Sequence, residues 1–236
     1  MPRLSNARRE KMKQVKRPMS QSYIVGLMLA FAGGYLDVYT YVCRGGVFAN
    51  AQTGNMVLLA IHAAKHDLGK VIQYLLPILA FMLGILITEF VKSRYRYSTA
   101  IHWRQIVIAM ECLVLCAIAF VPSGVQDDIV NIAVAFVCSM QVESFRTFEG
   151  TSSYATTMCT GNLRSATEHL FFSGLNKNRE ERNTSLKYYG IIASFIVGAF
   201  VSMKVSERVG EKSVLVAGFV LFVVFALMFI PNEKNV

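Results

Sequence analysis

The feature that most constrains this chain is a series of apolar runs long enough, or nearly so, to cross a bilayer. Five are clear: Tyr23–Cys43, Val71–Val91, Gln105–Val121, Tyr188–Met203 and Val214–Ile230. A spanning helix needs about 20 mostly apolar residues, because the hydrocarbon core is about 30 Å thick and a helix rises about 1.5 Å per residue. A sixth run, Ile129–Phe148, is interrupted by polar groups, while Met56–Ala64 and Leu163–Phe172 are too short to cross. With 54% apolar and only 17% charged residues over 236 positions, the composition excludes an ordinary soluble domain. The expected class is all-α, a polytopic membrane helical bundle whose first partners are membrane lipids.

A net charge of +9 would suggest nucleic acid if it formed a patch on a folded surface. Here seven basic residues, Arg3, Arg8, Arg9, Lys11, Lys13, Lys16 and Arg17, crowd ahead of the first apolar run. Positive charge in that position fixes the cytoplasmic side of a membrane helix, so no nucleic-acid partner is expected. The first run is also too long, and lacks the small-residue cleavage site, to be a cleaved signal peptide. Five cysteines without paired spacing, Cys43, Cys112, Cys116, Cys138 and Cys159, read as small core residues, neither disulfides nor a zinc site. His62, His66, His102 and His169 lie at segment ends and read as interfacial, so neither metal nor cofactor is expected.

The chain repeats itself. Thr53-Gly54-Asn55 recurs as Thr160-Gly161-Asn162, 107 positions on, and Asp37 has Glu143 at an offset of 106. Phe81-x-x-Gly84 is followed by Phe195-x-x-Gly198 at 114, and Phe120-Val121-Pro122 by Phe229-Ile230-Pro231 at 109. Four matches in one order define two halves, 20–122 and 123–231, between a basic tail (1–19) and a short one (232–236). Each half holds a long run, a short segment headed by Thr-Gly-Asn, and two further long runs. If the short segment spans, there are eight crossings and parallel halves. If it dips in and returns, there are six crossings and the halves are inverted.

Loop charge separates the two. With six crossings and the amino terminus in the cytoplasm, Lys92, Arg94, Arg96, Arg104, Lys177, Arg179, Arg182, Lys187 and Lys234 join the basic tail inside. Outside remain Lys65, Lys70, Lys204, Arg208 and Lys212, together with the acidic loop Val121–Asp128. Eight crossings would export the Lys92–Arg104 cluster, so six spanning helices plus two short re-entrant half-helices, as two inverted repeats, is the favoured arrangement.

Non-helical backbone survives at membrane depth only where protein buries it or water lines it. Arg44–Gln52 and Glu149–Cys159 would be such backbone, each leading to a Thr-Gly-Asn at the amino end of a half-helix. Free amides and the positive end of the dipole there suit an anion or a polar neutral solute. The same tripeptide also reads as a helix cap in a tight bend. Asp37 and Glu143 are intramembrane acids, which are functional candidates by default, and their spacing before the Thr-Gly-Asn motifs lets them face one cavity and bind a proton or cation. Alternatively they are structural ion pairs, Asp37 with Arg44 and Glu143 with Arg146. Gln141, one helical neighbour from Glu143, joins the acids and the two Thr-Gly-Asn motifs as a pathway candidate, Gln52, Arg146 and Arg164 are secondary candidates, and Glu111 and Glu89 read as boundary residues that snorkel to the interface. Small residues on the first and later runs, Gly33, Gly34 and Gly198 among them, suit close helix packing within the chain or in a homo-oligomer.

Gly33-Gly34-Tyr35-Leu36-Asp37, Gly46-Val47-Phe48-Ala49-Asn50-Ala51-Gln52-Thr53-Gly54-Asn55, Met140-Gln141-Val142-Glu143-Ser144-Phe145-Arg146 and Ala155-Thr156-Thr157-Met158-Cys159-Thr160-Gly161-Asn162 resemble the YoaK-like family. The likeness covers nearly all of the chain beyond the basic tail, and it implies an uncharacterised bacterial integral membrane protein with about six spans in the inner membrane. It implies no activity. The plan of six crossings with two half-helices meeting at the centre is also similar to aquaporin-like and formate-channel-like folds, an analogy of architecture alone. A small-solute transporter or channel is therefore the leading expectation, ahead of a scaffold or sensor and of a lipid-acting enzyme. No catalytic constellation is visible among the buried polar residues, so no enzyme is expected.

Overall fold

The structure, a computed structural model, describes residues 19–95, 103–124, 126–146 and 159–230. The basic tail before Met19, most of the 149–159 stretch and the carboxyl-terminal tail lie outside the described residues. Those described form eight α-helices and no strands: α1 (Tyr23–Cys43), α2 (Gln52–Ala64), α3 (Leu68–Tyr95), α4 (Trp103–Ile118), α5 (Asp127–Ser144), α6 (Cys159–Asn176), α7 (Arg179–Val209) and α8 (Val214–Leu227). The all-helical expectation holds. Three stretches are long and apolar enough to cross a membrane: α1, α3 and the Arg179–Leu227 segment, which takes in α7, a 3-10 turn and α8.

Local chemistry sets the ends of α1. Ser22 caps it by accepting the Val25 amide at 3.3 Å. At the other end Gly45 and Gly46 adopt φ values of +81° and +83°, a left-handed region that a side chain would strain, and they turn the chain back on itself. Asn178 caps α7 through the Glu180 amide at 2.9 Å.

Neighbour contacts order the bundle. α1 lies along α7 and α3 along α5; α2 packs on α3 and α6 on α7; α4 fills the space between α5 and α8. The main core joins α1, α4, α5 and α8 through residues such as Leu29, Leu36, Leu115, Val134 and Leu221. At one end of the bundle Arg104 donates to the Ser144 carbonyl (2.8 Å) and to Ser20 Oγ (3.1 Å), joining the start of α1 to the end of α5. At the other end Arg44, closing α1, reaches Asp127 at the start of α5 (3.1 Å). α1 and α5 therefore run in opposite directions.

Arg44 is the largest fully buried side chain of the described residues. Its Nε donates to Tyr39 Oη (2.9 Å), Nη1 to Asp127 Oδ1 (3.1 Å), and Nη2 to the carbonyls of Val121 (2.8 Å) and Ile118 (3.4 Å). Asn131 returns a bond to the Arg44 carbonyl at 2.7 Å. Arg44 therefore joins the end of α1 to the end of α4 and the start of α5 and is unavailable to Asp37. α6 is longer than the apolar pattern suggests, and its carboxyl half runs beside the charged first turns of α7. There His169 Nδ1 meets Glu181 Oε2 at 2.5 Å, and the Ala166 carbonyl accepts from Ser185 Oγ at 2.7 Å.

Candidate functional site

Beyond Gly46 the chain runs back alongside α1 instead of leaving the bundle. The Asn50 and Ala51 amides donate to Asp37 Oδ1 at 2.6 and 3.3 Å, and Asn50 Nδ2 donates to the Gly33 carbonyl at 3.3 Å. Those partners lie six and ten residues inside the end of α1, or about 9–15 Å along its axis. The amino end of α2 is thus held deep in the bundle, where unsatisfied amides would be costly. Asp37, 5% exposed, satisfies two of them and puts a carboxylate at the positive end of the helix.

Of the first Thr-Gly-Asn, Asn55 turns inward. Its Oδ1 accepts the Phe48 amide at 3.0 Å, and its Nδ2 donates to the Phe48 carbonyl at 2.8 Å and to Gln52 Oε1 at 3.0 Å. Gln52 Nε2 in turn donates to the Ala49 carbonyl at 3.0 Å. Gly54 lies under the Phe48 ring, which an added methyl would crowd. Asn55 and Gln52 therefore fix the bend itself. Thr53 is exposed.

The second motif opens α6 in the same pattern: Asn162 is buried, while Thr160, Gly161 and Arg164 are exposed. Cys159, the first residue of α6, lies within electrostatic reach of Asp37, and so does Cys138 of α5, whose thiol also neighbours the Asn50 side chain. Seven residues into α6, Ala166 packs with Ala30 of α1. α6 thus begins near Asp37 and proceeds toward the start of α1, whereas α2 begins near Asp37 and proceeds toward its end. His62, near the end of α2, meets Asp67 in the following turn at 3.2 Å.

Glu143 is brought to a different place. It pairs with Arg146 (3.2 Å) near the end of α5 and shares a hydrogen bond with Glu89 of α3, which Lys92 meets at 2.6 Å. Because α5 runs against α1, Glu143 is level with the first half of α1 and Asp37 with the second. The two acids do not share one cavity. The ion pair considered for Glu143 is present, and the one considered for Asp37 is not. The side-chain amide of Gln141, 2% exposed, lies between the Leu29 carbonyl, 3.3 Å from one end, and the Glu111 carboxyl, 2.9 and 3.2 Å from the other.

Glu111 is the residue sequence reasoning missed. It has no exposure at all and is no boundary residue. Its signal was available: Val107, Ile108 and Leu115, at positions −4, −3 and +4, form the buried face of α4 and put Glu111 in its centre. The histidines also proved patterned. His62 meets Asp67 and lies tilted against the Tyr74 ring (5.6 Å), while His169 meets Glu181 and stacks on Tyr188 (5.8 Å). Each pins the far end of a Thr-Gly-Asn helix to the long helix that follows it, and the Lys70 amide holds the Asp67 carboxyl below the usual carboxylate range.

Residues 25–227 match the family described as a protein of unknown function, DUF1275. The chain belongs to that family. It is also 27% identical over 184 residues to the UPF0700 transmembrane protein YoaK of Bacillus subtilis (strain 168), covering 74% of this chain and 79% of that protein. The resemblance drawn from the glycine, Asp37 and Thr-Gly-Asn motifs is thereby borne out, and this DUF1275 member is an integral membrane protein. No solved structure matches it.

Proposed function

We propose that this protein is a small-solute transporter or channel, with a polar site at the membrane midplane where α2 and α6 begin. The reading includes six crossings and two re-entrant half-helices in two inverted repeats, set in a bacterial cytoplasmic membrane with the amino terminus inside. The observation that carries it is the bend at residues 44–51, which returns the chain to Asp37, with the first residue of α6, Cys159, within electrostatic reach of the same carboxylate. A helix of 13 residues spans only about 20 Å, too little to cross.

Further support comes from the packing pattern. Exchanging α1–α4 for α5–α8 maps the main helix contacts onto one another, α1 on α7 becoming α5 on α3, and α2 on α3 becoming α6 on α7. The opposed directions of α1 and α5 are what inversion requires. Helix amino ends converging from two sides provide fixed dipoles for a polar solute, and Asp37 between them provides a proton- or cation-binding group.

Purified protein in lipid vesicles should raise proton flux, or the entry of small polyols or small anions, above that of empty vesicles. Asp37→Asn keeps an oxygen for the Asn50 and Ala51 amides, so the variant should remain folded and lose most of the flux. Vesicles no more permeable than empty ones would refute the transport reading, and unchanged flux in the variant would remove Asp37 from the route. A scaffold gives the first of these outcomes.

Topology is tested separately. On a cysteine-free background, Lys65→Cys should react with an impermeant thiol reagent added outside intact cells, and Arg94→Cys only after the membrane is opened. Labelling of both from the same side would end the six-crossing arrangement.

A further inference from the structure

We propose that Glu111 is a proton-binding carboxyl group inside the bundle and that Gln141 is the partner that reads its state. Glu111 projects from the middle of α4 into the core shared with α5 and α8, with no exposure to solvent. Among the described residues no cation is paired with it, and its polar partner is the Gln141 amide of α5. The titratable groups that face it are Cys112 on its own helix and Cys138 on α5, with Asp37 of α1 beyond Cys138. From α8 comes the Gly218 carbonyl, which takes the Cys112 thiol at 3.8 Å.

The amide of Gln141 stands between two acceptors, and a primary amide has one donating end and one accepting end. With Nε2 on the Leu29 carbonyl (3.3 Å), the amide oxygen is turned toward the Glu111 carboxyl, a contact that becomes a hydrogen bond only when Glu111 carries a proton to donate. With the amide turned over, Nε2 lies 2.9 and 3.2 Å from the two carboxylate oxygens, satisfying an ionised Glu111 and withdrawing the donor from Leu29. The two arrangements differ by one proton on a carboxylate oxygen and one half-turn of the amide. The proton comes from water and returns to it, with no other bond made or broken.

Cys138 connects this pair to the site. Its thiol meets the Asn50 side chain and lies within electrostatic reach of both Glu111 and Asp37, so both buried acids act on one residue of α5. The assignment of Glu111 as a coupling group for the solute rests on the transport reading. Its ability to bind a proton does not.

The test is infrared spectroscopy of the full-length protein in lipid vesicles, scanned from acid to alkaline pH with hydrogen–deuterium exchange. Wild type should show a protonated-carboxyl band that exchanges slowly, as a group shut from water does. That component should be lost in Glu111→Gln, kept in Asp37→Asn, and moved to higher frequency in Gln141→Leu, which removes its hydrogen-bond partner. Helical content by circular dichroism identifies any variant that fails to fold, and Glu111→Gln is close enough in shape to serve if Gln141→Leu does not. Spectra in which Glu111→Gln removes no carboxyl component, or removes one that exchanges as fast as surface carboxyls, overturn the assignment. A slow component with no flux in wild type leaves the assignment standing and sinks the transport reading. Flux without the component does the reverse.

Discussion

Replacing Arg44 by methionine should lower the stability of the bundle by about 3–5 kcal/mol, the range found when one partner of a buried charged network is removed. The side chain uses Nε, Nη1 and Nη2 at once, on Tyr39 of α1, on Asp127, and on the carbonyls of Ile118 and Val121 at and just beyond the end of α4. Methionine fills much of the volume but leaves the Val121 and Ile118 carbonyls without that donor, and it leaves Asp127 without its cation. Lysine should recover only part of the loss, because a point charge meets one acceptor well where a planar fork meets several. Asp127→Asn should cost less than Arg44→Met, since the other bonds survive and Asp127 keeps some access to water. Denaturant titration of the purified protein in mild detergent, on the two single variants and the double, gives the coupling. A stability for Arg44→Met within about 0.5 kcal/mol of wild type, the ordinary range for an inconsequential surface change, would show that the joint holds without it.

The helical class and the membrane setting could be read from the sequence because each leaves a local signature. A run of apolar residues announces a membrane helix, and the recurring polar tripeptide falls in the first turn of two helices, α2 and α6. What could not be read was which side chain each polar residue meets. Asp37 and Arg44 sit seven residues apart on one helix, and nothing local shows that the chain after Gly46 returns to offer Asp37 two amides. Nor does it show that Asp127, 83 positions away, claims the arginine. Glu143 matches Asp37 by offset but not by environment, because α5 ends soon after it, beside Arg146 and Glu89, whereas α1 continues past Asp37 to Cys43. Sequence repetition preserved the position of the acid and not its partners.

The histidines teach the converse. Read singly, each was an interfacial residue. Read by the offsets that relate the halves, His62 with Tyr74 and His169 with Tyr188 are one device used twice, and the acids beside them, Asp67 and Glu181, occupy corresponding places at the start of the next helix. The device joins each Thr-Gly-Asn helix to the long helix that follows it.

The packing of the long helices rests on a further repeated motif, a phenylalanine followed three positions later by a small residue. Phe31 and Gly34 on α1 meet Phe195 and Gly198 on α7 reciprocally, each glycine lying against the other helix's phenylalanine carbonyl so closely that an added methyl would overlap backbone atoms. On α3 and α5, Gly84 meets the carbonyl of Phe136 and the hydroxyl of Ser139 in the corresponding way. Close backbone approach of this kind drives helix association where lipid removes the hydrophobic difference between inside and outside. Gly198→Ala should therefore destabilise the bundle by about 1–3 kcal/mol, the usual cost of overpacking, and Gly198→Leu should prevent α1 from seating on α7. Gly84→Ala should cost less, because part of its overlap is with a side chain, and Ser139→Ala should recover some of that loss. No second substitution relieves Gly198→Ala, whose overlap is with backbone. Gly34→Ala added to Gly198→Ala should cost less than the sum, since the first methyl has already parted the seam that the second would part. Thermal unfolding in detergent reads all five variants. Equal, additive costs at the two glycines of α1 and α7 would mean that the helices touch there without depending on each other.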